Sequence, residues 1–132
     1  MAHLVVLDTH AVLWWASEPS LLSTAARRAI DRAARVGVPV AAWFEIATLV
    51  RRGRLELDGP VEDWCRRVGA LPRVEELAVE PADALLAGSL PDQDFPGDPG
   101  DRLIYAAARA RGAALITADR RLRAYDPAGT VW

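Results

Sequence analysis

A run of four large apolar residues, Leu4-Val5-Val6-Leu7, stops abruptly at an acid, Asp8. So short and so uniformly apolar a run reads as a β-strand buried on both faces. Such strands belong to parallel sheets covered by helices, so this one segment narrows the chain toward the α/β class. From Met1 to Ala16, Asp8 is the only formally charged side chain. A carboxylate beside a core strand is costly unless it is paired or coordinated. In open α/β sheets ligands bind beyond the carboxyl ends of the strands. The rest of the chain is therefore read for what Asp8 could face.

The downstream pattern alternates strands and helices at short spacing. Residues 11–16 predict a short helix, on which the adjacent Trp14 and Trp15 cannot both face one core. One of them meets a surface or partner, or both lie under neighbouring helices. Residues 22–36 predict an amphipathic helix with Ser23 as N-cap and Gly37 as its stop. Residues 38–41 predict a second strand, followed by a helix over 43–52 closed by Gly53. The Asp58-Gly59-Pro60 turn opens a helix with an apolar stripe of Val61, Trp64, Cys65, Val68 and Leu71. A third strand is expected within 74–79, a helix over 81–87, and a helix over 101–111. A fourth strand is expected at 113–116, and 129–132 offers a last edge strand. Together these predict a three-layer α/β/α sandwich with a parallel sheet of four to five strands, in one domain spanning residues 1–132.

Three acids share one grammar. Asp8 follows the first strand, Glu45 closely follows the second, and Asp119 follows the fourth. In a parallel sheet all three lie at the same edge. Glu45 is the only charged residue between Val36 and Val50, with Phe44 and Ile46 beside it. Asp98 and Asp101 enter a helix just before the fourth strand, out of an irregular segment with three prolines between Pro91 and Gly100. Acids also cap helix N-termini, which offers each one a purely structural role. Converging carboxylates raise one another's pKa until a proton or a cation enters. Hard oxygen donors suit Mg²⁺ or Mn²⁺, and acid-only sites of this kind serve phosphoryl chemistry.

Composition removes several alternatives. The formal net charge is −2, which gives no global pull toward nucleic acid and no polybasic membrane patch. All 16 basic residues are Arg, so no lysine-dependent mechanism can operate. The single cysteine, Cys65, allows neither an intrachain disulfide nor a cysteine metal site, and its spacing makes it a packed thiol. No signal peptide or transmembrane stretch is visible, so a soluble, cytoplasmic domain with no membrane partner is expected.

Leu7-Asp8-Thr9-His10 with Trp14-Trp15, Trp43-Phe44-Glu45-Ile46-Ala47, Arg52-Gly53-Arg54-Leu55, Asp98-Pro99-Gly100-Asp101-Arg102-Leu103-Ile104 and Leu115-Ile116-Thr117-Ala118-Asp119 together resemble a PIN-domain protein. The likeness is greatest to the VapC toxins of type II toxin–antitoxin systems, and it runs through essentially the whole chain with every motif in order. It implies a Mg²⁺- or Mn²⁺-dependent endoribonuclease. Asp8 would be the central metal ligand, with Glu45 and Asp101 completing the first site and Asp119 binding metal or a metal-bound water. Asp98 matches the first acid of a D-P-x-D-R motif and is a further candidate ligand. Thr117 would orient an acid by hydrogen bonding. The resemblance also implies a homodimer held inactive by a VapB-like antitoxin, whose tail occupies a groove beside the active site. Many relatives carry a histidine and a phenylalanine around the D-P-x-D-R motif. Here Phe95-Pro96-Gly97 approaches it and Gly100 stands between the acids, a departure expected to alter loop stiffness and substrate fit.

Five flanking residues have two readings each. His10 contacts RNA or a metal-bound water, or hydrogen-bonds a neighbouring carboxylate or backbone group. Arg102 pairs with phosphate, or neutralises Asp98 or Asp101. Arg51 and Arg52, with Arg54 just beyond, sit where cations favour a helix end, and they are also candidates for RNA backbone contact. Two rival functions are a non-catalytic PIN-fold module that binds RNA or antitoxin, and a receiver-like signalling domain. The second needs a lysine near its acids, which this chain lacks. A DNA-directed nuclease is a substrate variant of the main reading.

Overall fold

A computed structural model describes residues 3–132. Strand β1 (Leu4–Leu7) leads through Asp8 into helix α1 (Thr9–Ser17), and a 3₁₀ turn at Pro19–Leu21 leads to α2 (Thr24–Arg32). Then come β2 (Arg35–Pro39), α3 (Val40–Arg51), α4 (Val61–Gly69), β3 (Val74–Leu77) and α5 (Pro81–Ser89). The chain closes with α6 (Pro99–Ala110), β4 (Ala114–Ile116), α7 (Arg120–Tyr125) and β5 (Thr130–Val131).

The five strands form one sheet in the order β3-β2-β1-β4-β5, and every neighbouring pair is parallel. The opening apolar run is thus the middle strand. Val5, Val6 and Leu7 are at most 1% exposed, because helices cover both faces of a strand in that position. Val36 and Val38 of β2, Leu115 and Ile116 of β4, and Ile30, Ile46, Ile104 and Leu122 from the helices complete the buried core. Each such side chain contributes about 1.5–3 kcal/mol by leaving water.

Several boundaries differ from expectation. The helix read over 22–36 ends at Arg32, and Val36 and Gly37 are strand residues. Gly37 is no helix stop: it lies inside β2, where a Cβ would stand 2.7 Å from Leu77 Cδ1 of β3. A glycine is needed there for close packing, not for a turn. The second strand runs Arg35–Pro39 rather than 38–41, and α3 begins at Val40, three residues before the expected start at Trp43. Helix α6 begins at Pro99, so Gly100 belongs to its first turn. Helix α7 was not expected at all. Trp14 and Trp15 are both half-buried, and Trp14 packs on Trp132. Among the described residues no helix is long and apolar enough to cross a membrane.

Candidate metal and phosphodiester site

Asp8 leaves β1 at the carboxyl edge of the sheet and becomes the N-cap of α1, its Oδ1 accepting from Thr9 N at 2.8 Å. Its other oxygen, Oδ2, accepts from Thr117 Oγ1 at 2.6 Å. Thr117 is fully buried at the end of β4 and also accepts from Asp119 N at 3.1 Å. One hydroxyl therefore ties the central strand to its neighbour and fixes the orientation of Asp8. Burial raises the Asp8 pKa, against the lowering effects of the Thr117 and Thr9 hydrogen bonds and the nearby charge of His10.

Asp119 caps α7, with Oδ1 accepting from Arg121 N and Leu122 N. Asp98 and Asp101 make a reciprocal capping box at the start of α6. Asp98 Oδ1 accepts from Asp101 N at 2.9 Å, and Asp101 Oδ2 accepts from Asp98 N at 3.2 Å. The capping role and the cleft role therefore coexist in Asp8, Asp98, Asp101 and Asp119. At each of these helix starts a site acid accepts from backbone N–H groups that would otherwise lack a partner.

Glu45 has no such support. It lies on the second turn of α3, half-buried, with Oε1 buried and without a hydrogen-bond partner. Thr9 Oγ1 is likewise buried and makes no hydrogen bond of good geometry, but it lies near enough to the Glu45 carboxyl to lower its pKa slightly. Burial first, then the charges of Asp101, Asp8 and Asp98, push the Glu45 carboxyl up to about 7. Burial and the Asp98 charge raise Asp101 to about 6.

These acids line a single cleft of about 410 Å³: Asp8, Glu45, Asp98, Asp101 and Asp119, with Thr9, His10, Trp14 and Ala118. No Arg is in its lining. Such a cleft is a demand for positive charge. Among the described residues no group of three or more His, Cys, Asp or Glu side chains stands close enough together to hold a metal ion. Mg²⁺ is commonly held by one or two carboxylates and retained waters, a mode that needs no such group. The all-oxygen donor set and the orphaned Glu45 Oε1 fit Mg²⁺ or Mn²⁺ and do not fit Zn²⁺.

The flanking candidates separate. His10 is exposed at the cleft and packs on Trp14 with ring centroids 5.5 Å apart. Arg102 turns away from the acids. Its Nη1 donates to Ala87 O and Leu90 O, its Nη2 pairs with Asp92 at 2.7 Å, and its guanidinium lies 5.5 Å from the Phe95 ring centre. It straps the 91–97 segment and neutralises neither Asp98 nor Asp101. Arg51 and Arg52 are exposed at the end of α3, and Arg54 lines a separate hollow next to the cleft. Sequence reasoning missed Gly100 as a packing partner of Glu45: a Cβ there would stand 2.8 Å from Glu45 Oε1. It also left Thr9 and Trp14 outside the site, although Thr9 directly follows Asp8 and Trp14 lies one helical turn beyond His10.

Comparison with known proteins agrees with this architecture. The sequence matches the PIN domain over residues 5–127. It is 43% identical over 121 residues to Ribonuclease VapC22 of Mycobacterium tuberculosis, covering 92% of this chain and 91% of that protein. The fold is similar to that of a chain in VapBC2 from Rickettsia felis bound to a promoter DNA fragment. There the TM-score is 0.69 at 13% identity, with 96% of each chain covered. A chain of DNA-bound VapBC from Salmonella typhimurium gives a TM-score of 0.64 at 20% identity, over 93% of this chain and 92% of that one.

Proposed function

We propose, on the premise that this chain belongs to the PIN-domain family, that it is a Mg²⁺- or Mn²⁺-dependent endoribonuclease and the toxin of a VapBC-like module. The observation that carries the reading is the cleft in which five carboxylates converge with no Arg or Lys side chain in the lining. A divalent cation, when bound there, neutralises the scissile phosphate and lowers the pKa of an attacking water. Asp8 is the fixed post, because Thr117 and Thr9 N hold both of its oxygens. Glu45 and Asp101 are the acids whose protons a cation displaces, since both carboxyls are raised toward neutrality. Asp119 acts from the far wall, directly or through water, and Asp98 holds the start of α6 and contributes charge at the rim.

The working assembly is a homodimer in the cytoplasm, held inactive by a VapB-like antitoxin. Large apolar side chains left in water, Phe44 and Leu85, supply adhesive surface for such contacts.

Cleavage of a panel of RNAs with Mg²⁺ or Mn²⁺ tests the activity. The expectation is cleavage by the wild type that chelator abolishes and Asp8→Asn reduces at least 100-fold. Undiminished cleavage in excess chelator would overturn the metal assignment, and full activity of Asp8→Asn would overturn the role of Asp8. Calorimetry with either ion and no binding heat would favour the non-catalytic module.

A further inference from the structure

Beside the acidic cleft stands a short aromatic pile, its rings tilted by 49° and 51° to one another and not face to face. His10 packs on Trp14 at 5.5 Å between ring centroids, and Trp14 packs on Trp132, also at 5.5 Å. His10 is exposed and Trp14 half-buried. Both rings belong to two surfaces at once: they line the acidic cleft, and they line an adjoining hollow of about 200 Å³. They are therefore the partition between the two.

We infer that an unpaired RNA base adjoining the scissile phosphate stacks on the His10–Trp14 pair, so that this nucleotide must be single-stranded. The inference rests on the ribonuclease reading above and names a feature of its substrate. Three observations support a base and not a phosphate as the occupant. The hollow is floored by apolar Leu49, Leu55 and Leu57. Its charged lining is Glu18 and Glu56 against Arg54, a balance that repels phosphate and leaves a neutral ring unopposed. Its volume lies below the roughly 300–1,000 Å³ of sites for drug-sized ligands, which suits one planar group. Aromatic side chains accept any base on their π-faces, but only a base already out of a duplex can reach them. A phosphate bound in the cleft delivers its neighbouring base to the partition without further travel. Trp132 backs Trp14 on its inner side, a contact that a base stacking from outside does not have to make.

The test is RNA binding in the Asp8→Asn background, which separates binding from cleavage. The probes are a single-stranded RNA that the wild type cleaves, the same RNA in a duplex, and a set in which one nucleotide at a time lacks its base. Asp8→Asn is expected to bind the single strand at least 10-fold tighter than the duplex. Adding Trp14→Ala should weaken single-strand binding by between about fivefold and a hundredfold, while Trp14→Phe retains most of it. His10→Ala, at an exposed position, gives the same direction without risk to the core. One abasic position should weaken binding to Asp8→Asn yet have no further effect on Asp8→Asn/Trp14→Ala. Unchanged affinity in both ring-removed variants, or additive effects at every abasic position, would overturn the stacking site. In that case the pile is left as a surface for a protein partner. A wild type that cleaves no RNA is a different failure, that of the ribonuclease reading itself.

Discussion

At the scale of single residues, one constraint on the site is an absent side chain. Gly100 lies in the first turn of α6, facing Glu45 Oε1. Alanine favours helix over glycine by about 1 kcal/mol, so Gly100→Ala is not penalised by the backbone. The new methyl instead meets the far end of a flexible side chain, which must swing away. The expected outcome is a split: unfolding free energy within about 1 kcal/mol of wild type by urea titration, with RNA cleavage and Mn²⁺ affinity each down at least 10-fold. Full activity would show that Glu45 need not hold its observed position. A second prediction concerns protons. In the metal-free protein Glu45 is raised from 4.5 to about 7 and Asp101 from 3.8 to about 6. The folded chain thus keeps protons that the unfolded chain has already released. Their contribution to stability is complete below about pH 4 and is lost as pH rises to about 7. Glu45→Gln should flatten that decline by on the order of 1 kcal/mol, since both groups remain partly solvated. A metal-free wild type whose stability does not fall between pH 4.5 and 7 would contradict it.

At the scale of elements, the segment before α6 is held by Arg102 and Phe95. Phe95 is 3% exposed and packs among Tyr105, Tyr125 and the Arg102 guanidinium. Phe95→Ala should cost about 3–5 kcal/mol by denaturant unfolding. Arg102→Ala should cost about 1–3 kcal/mol and open the 91–97 segment to limited proteolysis. A proteolysis pattern identical to wild type would refute the strap. These elements also mark where sequence was informative. The β1 run, Asp8 and the strand–helix alternation were legible because burial on both faces leaves an unmistakable apolar signature. Gly37 was misread because a glycine required by close strand packing looks identical to one that ends a helix. Helix α7 was invisible because its six residues include three arginines and only Leu122 is buried. The Arg102 partners lie 10 to 15 residues upstream, two of them backbone carbonyls and the third the Asp92 carboxylate, and no local motif announces them. Asp8, Glu45 and Asp119 were legible because each comes soon after a strand, and Asp98 and Asp101 because they enter a helix out of a proline-rich segment. Their hydrogen-bond state was not, because the Thr117–Asp8 bond joins residues 109 positions apart.

At the scale of the whole molecule, Phe44 on α3 and Leu85 on α5 are each 72% exposed. If they lie in the dimer interface, Phe44→Glu with Leu85→Glu should give a monomer by sedimentation equilibrium at concentrations where the wild type is dimeric. An unchanged dimer would move the interface elsewhere. The sheet order carries a last consequence. Strand β1 is made first but pairs with β4, and the oxygen of Asp8 that Thr117 holds waits for a residue translated 109 positions later. Without the segment that carries Thr117 and Asp119, one wall of the cleft does not exist and its central acid keeps only the local bond from Thr9 N.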